Sequence, residues 1–112
     1  MTKDPSLHDE THLKVLRVLE SNPNIGQRKL AESVGVSLGK INFCLSALLG
    51  KGLVKMENFR TSTRKLNYAY LLTPSGVAAK AVLTQRFLKR KMEEYEALKS
   101  EIEQLKQEAS DD

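Results

Sequence analysis

The stretch Gln27-Arg28-Lys29-Leu30-Ala31-Glu32-Ser33-Val34-Gly35-Val36-Ser37-Leu38-Gly39-Lys40-Ile41 constrains this chain more than any other segment. Leu30, Ala31 and Val34 fall on one face of a short helix running from Gln27 to Val34. Gly35 stands where a helix end needs a left-handed residue, and Ser37 is placed to cap the next helix. That next helix buries Ile41, Leu45 and Leu48, spaced four and three apart, and ends at Lys51-Gly52. Two helices joined by so short a turn cross closely, which calls for a small residue such as Ala31. Leu30, Val36 and Ile41 then pin the pair to another helix. An ordinary helical hairpin is the alternative, but it does not demand all of these residues at once.

The helix to be pinned against lies upstream. Leu13, Leu16 and Leu19, with Val15 and Val18 beside them, predict a helix over about Ser6 to Glu20, stopped by Ser21-Asn22-Pro23-Asn24. Downstream the period changes. Leu53 to Phe59 and Leu66 to Leu72 are rich in β-formers, and Tyr68, Tyr70 and Leu72 alternate. Between them lies the polar, basic tip Arg60-Thr61-Ser62-Thr63-Arg64-Lys65, so the pair reads as a hairpin. Thr73 as N-cap and Pro74 at the first helical position start a last helix. Gly76 lies in its first turn, and nothing breaks it before about Glu108, a length of roughly 50 Å at ~1.5 Å per residue. Helix, helix, helix, hairpin, helix is the layout of a winged helix-turn-helix: mainly α (α+β), with a two-stranded β wing. The expected division is 1–73 for a DNA-binding winged helix-turn-helix domain. Residues 74–112 then form a long, coiled-coil-like dimerisation helix with an acidic tail.

Composition limits the function. A chain of 112 residues is one domain's worth, and no run of about 18 apolar residues is present to span a membrane. The start Met-Thr-Lys-Asp-Pro-Ser has no apolar stretch of a signal peptide, so a cytoplasmic protein is expected. Cys44 is the single cysteine, which excludes an internal disulfide and is read as a small buried hydrophobe rather than a redox sensor. His8 and His12 stand four apart, but two ligands make a poor metal site. No metal, no cofactor and no catalytic residues are expected, and an enzyme is the least favoured class. The charge is unevenly spread. Residues 93–112 hold eight acids against Lys99 and Lys106, or −6, so with a net charge of +4 residues 1–92 carry +10. A basic body with an acidic tail fits a polyanionic partner for the body, although a merely solvated basic surface has the same count.

Which residues would meet such a partner follows from about 100° of rotation per helical residue. With Ile41, Leu45 and Leu48 inward, the third helix turns Gly39, Phe43, Ser46 and Gly50 outward, flanked by Lys40 and Asn42. A helix entering the major groove of double-stranded DNA needs a slim outer face that still offers donors, acceptors or methyl-contacting groups. Gly39, Ser46 and Gly50 keep it slim, Asn42 suits an adenine edge, Phe43 suits thymine methyls, and Ser37 and Lys40 suit phosphates. Phe43 packed on a neighbouring loop and Lys40 simply solvated are the plain alternatives. Arg28 and Lys29, at the start of the second helix, are phosphate candidates, as are Arg60, Arg64 and Lys65 on the wing.

The last helix raises the question of self-association. Leu88, Tyr95 and Ile102 are seven apart, as are Leu98 and Leu105, and together they give the three-four spacing of a coiled-coil seam. Lys91 interrupts that seam, and charged residues cover the other faces. A stripe running so far past the body needs a second copy of itself; a solvated single helix is the alternative.

Residues 13–76 resemble a MarR-type winged-helix transcriptional regulator. The stretches Val36-Ser37-Leu38-Gly39-Lys40-Ile41-Asn42, Leu48-Leu49-Gly50-Lys51-Gly52-Leu53-Val54-Lys55 and Leu71-Leu72-Thr73-Pro74-Ser75-Gly76 resemble a short branch of that family, associated with exopolysaccharide (EPS) gene clusters in bacteria. The block Arg86-Phe87-Leu88-Lys89-Arg90-Lys91-Met92-Glu93-Glu94-Tyr95-Glu96-Ala97-Leu98-Lys99 is similar to that branch's C-terminal stretch and is the more discriminating part. The resemblance implies a homodimeric, cytoplasmic regulator of an exopolysaccharide operon. Two departures stand out. Only twelve residues precede Leu13, where longer members have a further helix, and Asn58-Phe59 precedes Arg60, where an aspartate is common. Two other readings remain open on this fold: a protein–protein adaptor, which would show a large apolar patch on the third helix, and a small-molecule-responsive sensor, which would need a pocket between body and long helix.

Overall fold

The computed structural model describes residues 5–60 and 66–111. The elements are α1 (Pro5–Ser21), α2 (Gln27–Val34), α3 (Leu38–Gly50), β1 (Val54–Arg60), β2 (Leu66–Leu72) and α4 (Pro74–Ser110). The helix–helix–helix–hairpin–helix order and the winged fold are as the sequence reads. Each of the inner boundaries has a local cause. Gly35 takes φ 82°, and the N–H groups of Gly35 and Val36 both donate to the Ala31 carbonyl, closing α2. The Ser37 hydroxyl oxygen accepts the Lys40 N–H at 3.1 Å and opens α3. At its far end Gly52 takes φ 72°; Gly52 N–H donates to Leu49 O and Leu53 N–H to Leu48 O, the Schellman arrangement.

That last bond moves one boundary. Leu53, expected to begin the first strand, gives its N–H to the end of α3, so the strand begins at Val54. The hairpin is antiparallel, with Val54 opposite Leu72, Met56 opposite Tyr70 and Asn58 opposite Tyr68. Val54 and Tyr70 reach the core on one face, while Tyr68, on the same face by alternation, is exposed because the hairpin has by then run past the body. Ala69, on the other face, is buried too. An unexpected main-chain link, Tyr70 N–H to Pro23 O at 3.0 Å, joins β2 to the loop after α1, and Gln27 Nε2 donates to Tyr70 Oη at 3.2 Å.

The core is built from the residues the periodicities select. Val15, Leu16 and Leu19 of α1, Leu30, Ala31 and Val34 of α2, and Ile41, Cys44, Leu45 and Leu48 of α3 form one cluster with Val54 and Tyr70. Burying an aliphatic side chain of this kind contributes about 1.5–3 kcal/mol, so the three helices and the hairpin base stabilise one another as a unit. The start of α4 is locked onto it. Thr73 N–H donates to Leu53 O at 3.0 Å, Thr73 Oγ1 donates to Gly52 O at 2.6 Å and accepts the Gly76 N–H at 3.1 Å. Gly76 is buried there, and a side chain on it would run into the Leu53 carbonyl. Leu83 packs on the core, while Lys80–Glu20 at 2.6 Å and Arg86–Asp9 at 3.5 Å tie α4 to α1.

Beyond Arg90 every described residue of α4 is exposed. The helix has 37 residues, two past the expected end at Glu108, and the molecule measures 71 × 31 × 27 Å. Its radius of gyration is 19.1 Å, against about 13 Å for a compact chain of this size. The excess is the projecting half of α4.

Candidate nucleic-acid interface

The axes of α2 and α3 turn through 101° at their three-residue junction, within the range of about 90–120° typical of helix-turn-helix pairs. Because Ile41, Cys44, Leu45 and Leu48 are all buried, the rotation of α3 is fixed and its opposite face is forced into solvent. Gly39, Lys40, Asn42, Phe43, Ser46 and Gly50 are each exposed, so the outer face worked out from the sequence is the one observed. A Cβ placed on Gly39 or Gly50 meets nothing within 4 Å, which makes this face open as well as slim. Leu38 is 40% exposed and Phe43 59%, but about 140° of helical rotation separates them, so they do not merge into one apolar patch.

Around that face the other selected residues are arranged by their elements. Ser37 is exposed at the head of α3; its oxygen is held by the Lys40 N–H, which leaves its own O–H to donate outward. Arg28 and Lys29 are exposed in the first turn of α2, whose N-cap is Gly26 and offers no side-chain acceptor. The N–H groups of that turn are therefore open to an anion. On the wing, Arg64 and Lys65 lie outside the described residues, as does the side chain of Arg60, whose backbone ends β1. Two more exposed cations, which sequence reasoning misses, flank the turn between α3 and the wing: Lys51 at the end of α3, and Lys55 on β1, paired with Glu57 at 3.4 Å. Their signal is present in the sequence, since each neighbours the Gly52 turn that joins α3 to the wing.

Cys44 is 2% exposed, and burial pushes its thiol up to about 11, against the smaller opposing effect of Lys51 and Lys40. It stays protonated at neutral pH, in keeping with its reading as a small core residue. Among the described residues no three His, Cys, Asp or Glu side chains come together; the side chain of His8 is not among them, and His12 is half-buried in α1. No single described helix is long and apolar enough to cross a membrane. A hollow of about 630 Å³ lined by Gln85, Leu88, Lys89, Met92, Glu93 and Glu96 lies wholly on α4, not between body and helix.

Residues 8–55 match the family described as winged helix-turn-helix DNA-binding. The domain is a winged helix-turn-helix. The solved structures it resembles include the PcaV transcriptional regulator from Streptomyces coelicolor (25% identity, 70% of this chain and 57% of that one, TM-score 0.57). FabT from Streptococcus pneumoniae, solved in complex with DNA, shares 24% identity over 74% of this chain and 56% of its own, with a TM-score of 0.51. A MarR-family transcriptional regulator from Silicibacter pomeroyi shares 22% over 74% and 56%, with a TM-score of 0.55. The chain thus spans little more than half the length of these neighbours, one of which is a MarR-family regulator. No curated protein matches it by sequence.

Proposed function

We propose that this protein is a sequence-specific, double-stranded DNA-binding transcriptional regulator that acts in the cytoplasm as a homodimer. The observation that carries this reading is the outer face of α3: slim, open, bearing Asn42, Phe43 and Ser46, and flanked by Lys40. In the proposal α3 lies in the major groove, Asn42 and Phe43 read base edges, and Ser37, Lys40, Arg28 and Lys29 hold phosphates. Arg60, Arg64 and Lys65 of the wing lie along the backbone. The net charge of +10 over residues 1–92 supplies the sequence-independent attraction. The absence of a merged apolar patch on α3 favours DNA over a protein partner. The resemblance of the Arg86–Lys99 block to regulators of exopolysaccharide gene clusters makes such an operon the proposed target.

A single winged body covers a modest interface, and non-specific binding alone falls near ~10⁻⁴–10⁻⁶ M at physiological salt. Two bodies joined through the Leu88, Tyr95, Leu98, Ile102 and Leu105 face of residues 74–112 would bind a pseudo-palindrome with half-sites about one helical turn, or a multiple of it, apart. Those five side chains are 43–62% exposed in the single chain. The test is a gel shift on the DNA upstream of the protein's own gene, with sedimentation on the same samples. The wild type is expected to be dimeric and to shift that DNA in preference to unrelated competitor. Leu98→Glu with Ile102→Glu is expected to give a folded monomer that binds only weakly. A monomer that still binds the operator tightly would remove the long helix from the proposal.

A further inference from the structure

The projecting half of α4 carries more information than its apolar stripe. Leu88, Tyr95, Ile102 and Ala109 are seven apart and take position a of a heptad; Lys91, Leu98 and Leu105 then take position d. This numbering fixes the flanking positions. Position g holds Glu94, Glu101 and Glu108, and position e holds Met92, Lys99 and Lys106. All of these are exposed on one continuous helix, and from Lys91 onward they lie past Arg90, the last half-buried residue of α4.

We infer that the occupant of this face is a second copy of the chain, paired parallel and in register. The inference rests on the proposed homodimer and gives it a direction. In a parallel pair each g residue faces the e residue five positions later on the partner helix. Glu94 then meets the partner's Lys99, Glu101 meets the partner's Lys106, and the two-fold axis repeats both pairings. In an antiparallel pair g faces g and e faces e, which sets glutamates against glutamates and lysines against lysines. The charge pattern is complementary in one orientation and repulsive in the other. Lys91, the polar residue in the seam, sits at the end nearest the body and pairs within its own helix with Glu94 at 3.2 Å. A cation there is tolerable where the two helices part toward their bodies, whereas Tyr95 to Leu105 form an uninterrupted apolar stretch.

The orientation decides where the winged bodies stand. A parallel pair puts both at the same end of the coil, related by a two-fold axis along it. An antiparallel pair centred near residue 100 separates the two Lys80 positions by roughly 60 Å along the axis, at ~1.5 Å per residue.

The experiment uses the full chain. Ala109→Cys places a thiol at position a, so two copies become neighbours in the parallel pair but lie roughly 27 Å apart in the antiparallel one. Air oxidation is expected to convert most of this variant to a covalent dimer, on a Cys44→Ser background that removes the native thiol. Glu94→Lys with Glu101→Lys is expected to weaken the dimer on the order of 10- to 100-fold, and adding Lys99→Glu and Lys106→Glu is expected to restore it. A wild type that sediments as a dimer but gives no cross-link, with charge variants of unchanged affinity, overturns the parallel arrangement alone. A wild type that sediments as a monomer at all accessible concentrations overturns the homodimer itself.

Discussion

Gly76→Ala should loosen the joint between the wing and the long helix. A Cβ at this position would collide with the Leu53 carbonyl oxygen and stand 3.0 Å from the carbonyl carbon, both main-chain atoms with no freedom to rotate away. The first turn of α4 must therefore shift. The shift pulls on Thr73 N–H to Leu53 O (3.0 Å) and Thr73 Oγ1 to Gly52 O (2.6 Å), and it draws Leu83 away from the core. Two hydrogen bonds at about 0.5–1.5 kcal/mol each, plus partial exposure of one leucine, amount to about 3–4 kcal/mol. Alanine returns at most about 1 kcal/mol through its helix propensity, leaving a net destabilisation of about 2–3 kcal/mol. Thermal unfolding followed by circular dichroism at 222 nm would show this as a drop in Tm of roughly 10 °C. Gly50→Ala is the control, because a Cβ there meets nothing within 4 Å and the residue is exposed at the end of α3. If Gly76→Ala unfolds at the same temperature as Gly50→Ala, the close approach at Leu53 is not what fixes α4 to the body.

Three further outcomes follow from other parts of the structure. Gly39→Ala fills open space in a helix and should raise stability by about 0.5–1 kcal/mol, yet weaken operator binding by thickening the groove-facing side; denaturant melts and anisotropy on one sample would separate the two effects. Asn42→Ala should cost about 1–3 kcal/mol on the operator and little on random DNA, and equal costs on both would show that Asn42 does not read a base. The Cys44 thiol is raised from 9.0 to about 11 by burial, so the folded chain holds that proton more tightly than the unfolded one. Its contribution is intact below about pH 9 and is lost as pH climbs toward 11, a fall on the order of 1–3 kcal/mol; Cys44→Ala should lack that part of the pH dependence in urea melts.

The helices are legible in the sequence because each carries a periodic apolar face together with a chemical start or stop. Gly35 and Ser37 mark the α2–α3 turn so tightly that the rotation of α3, and hence its exposed face, follows from residue spacing alone. The long helix is equally visible, since Thr73-Pro74 starts it and no later residue ends it before Ser110. What escapes are interactions between segments distant in sequence. Nothing local marks Tyr70 as the partner of Pro23, nor its hydroxyl as the acceptor for Gln27. Gly76 can be placed in the first turn, but the reason for glycine is a carbonyl 23 positions earlier. Tyr68 shows the same limit from the other side: alternation assigns it the inward face, and only the reach of the body decides that this part of the face is in solvent.

If the α3 face reads DNA, it must distinguish one sequence from another. Fluorescence anisotropy tests this directly, with wild-type protein titrated onto a labelled duplex from its own upstream region and onto a shuffled duplex of equal length, across a salt series. The expected Kd is at least about 10³-fold lower on the upstream duplex at physiological salt. The log–log salt slope is expected to become shallower by about 2–3 when Arg60, Arg64 and Lys65 are neutralised, at ~0.9 for each phosphate no longer neutralised by the protein. Equal affinity for the two duplexes, or no binding to either at low salt, would contradict a sequence-reading role for α3.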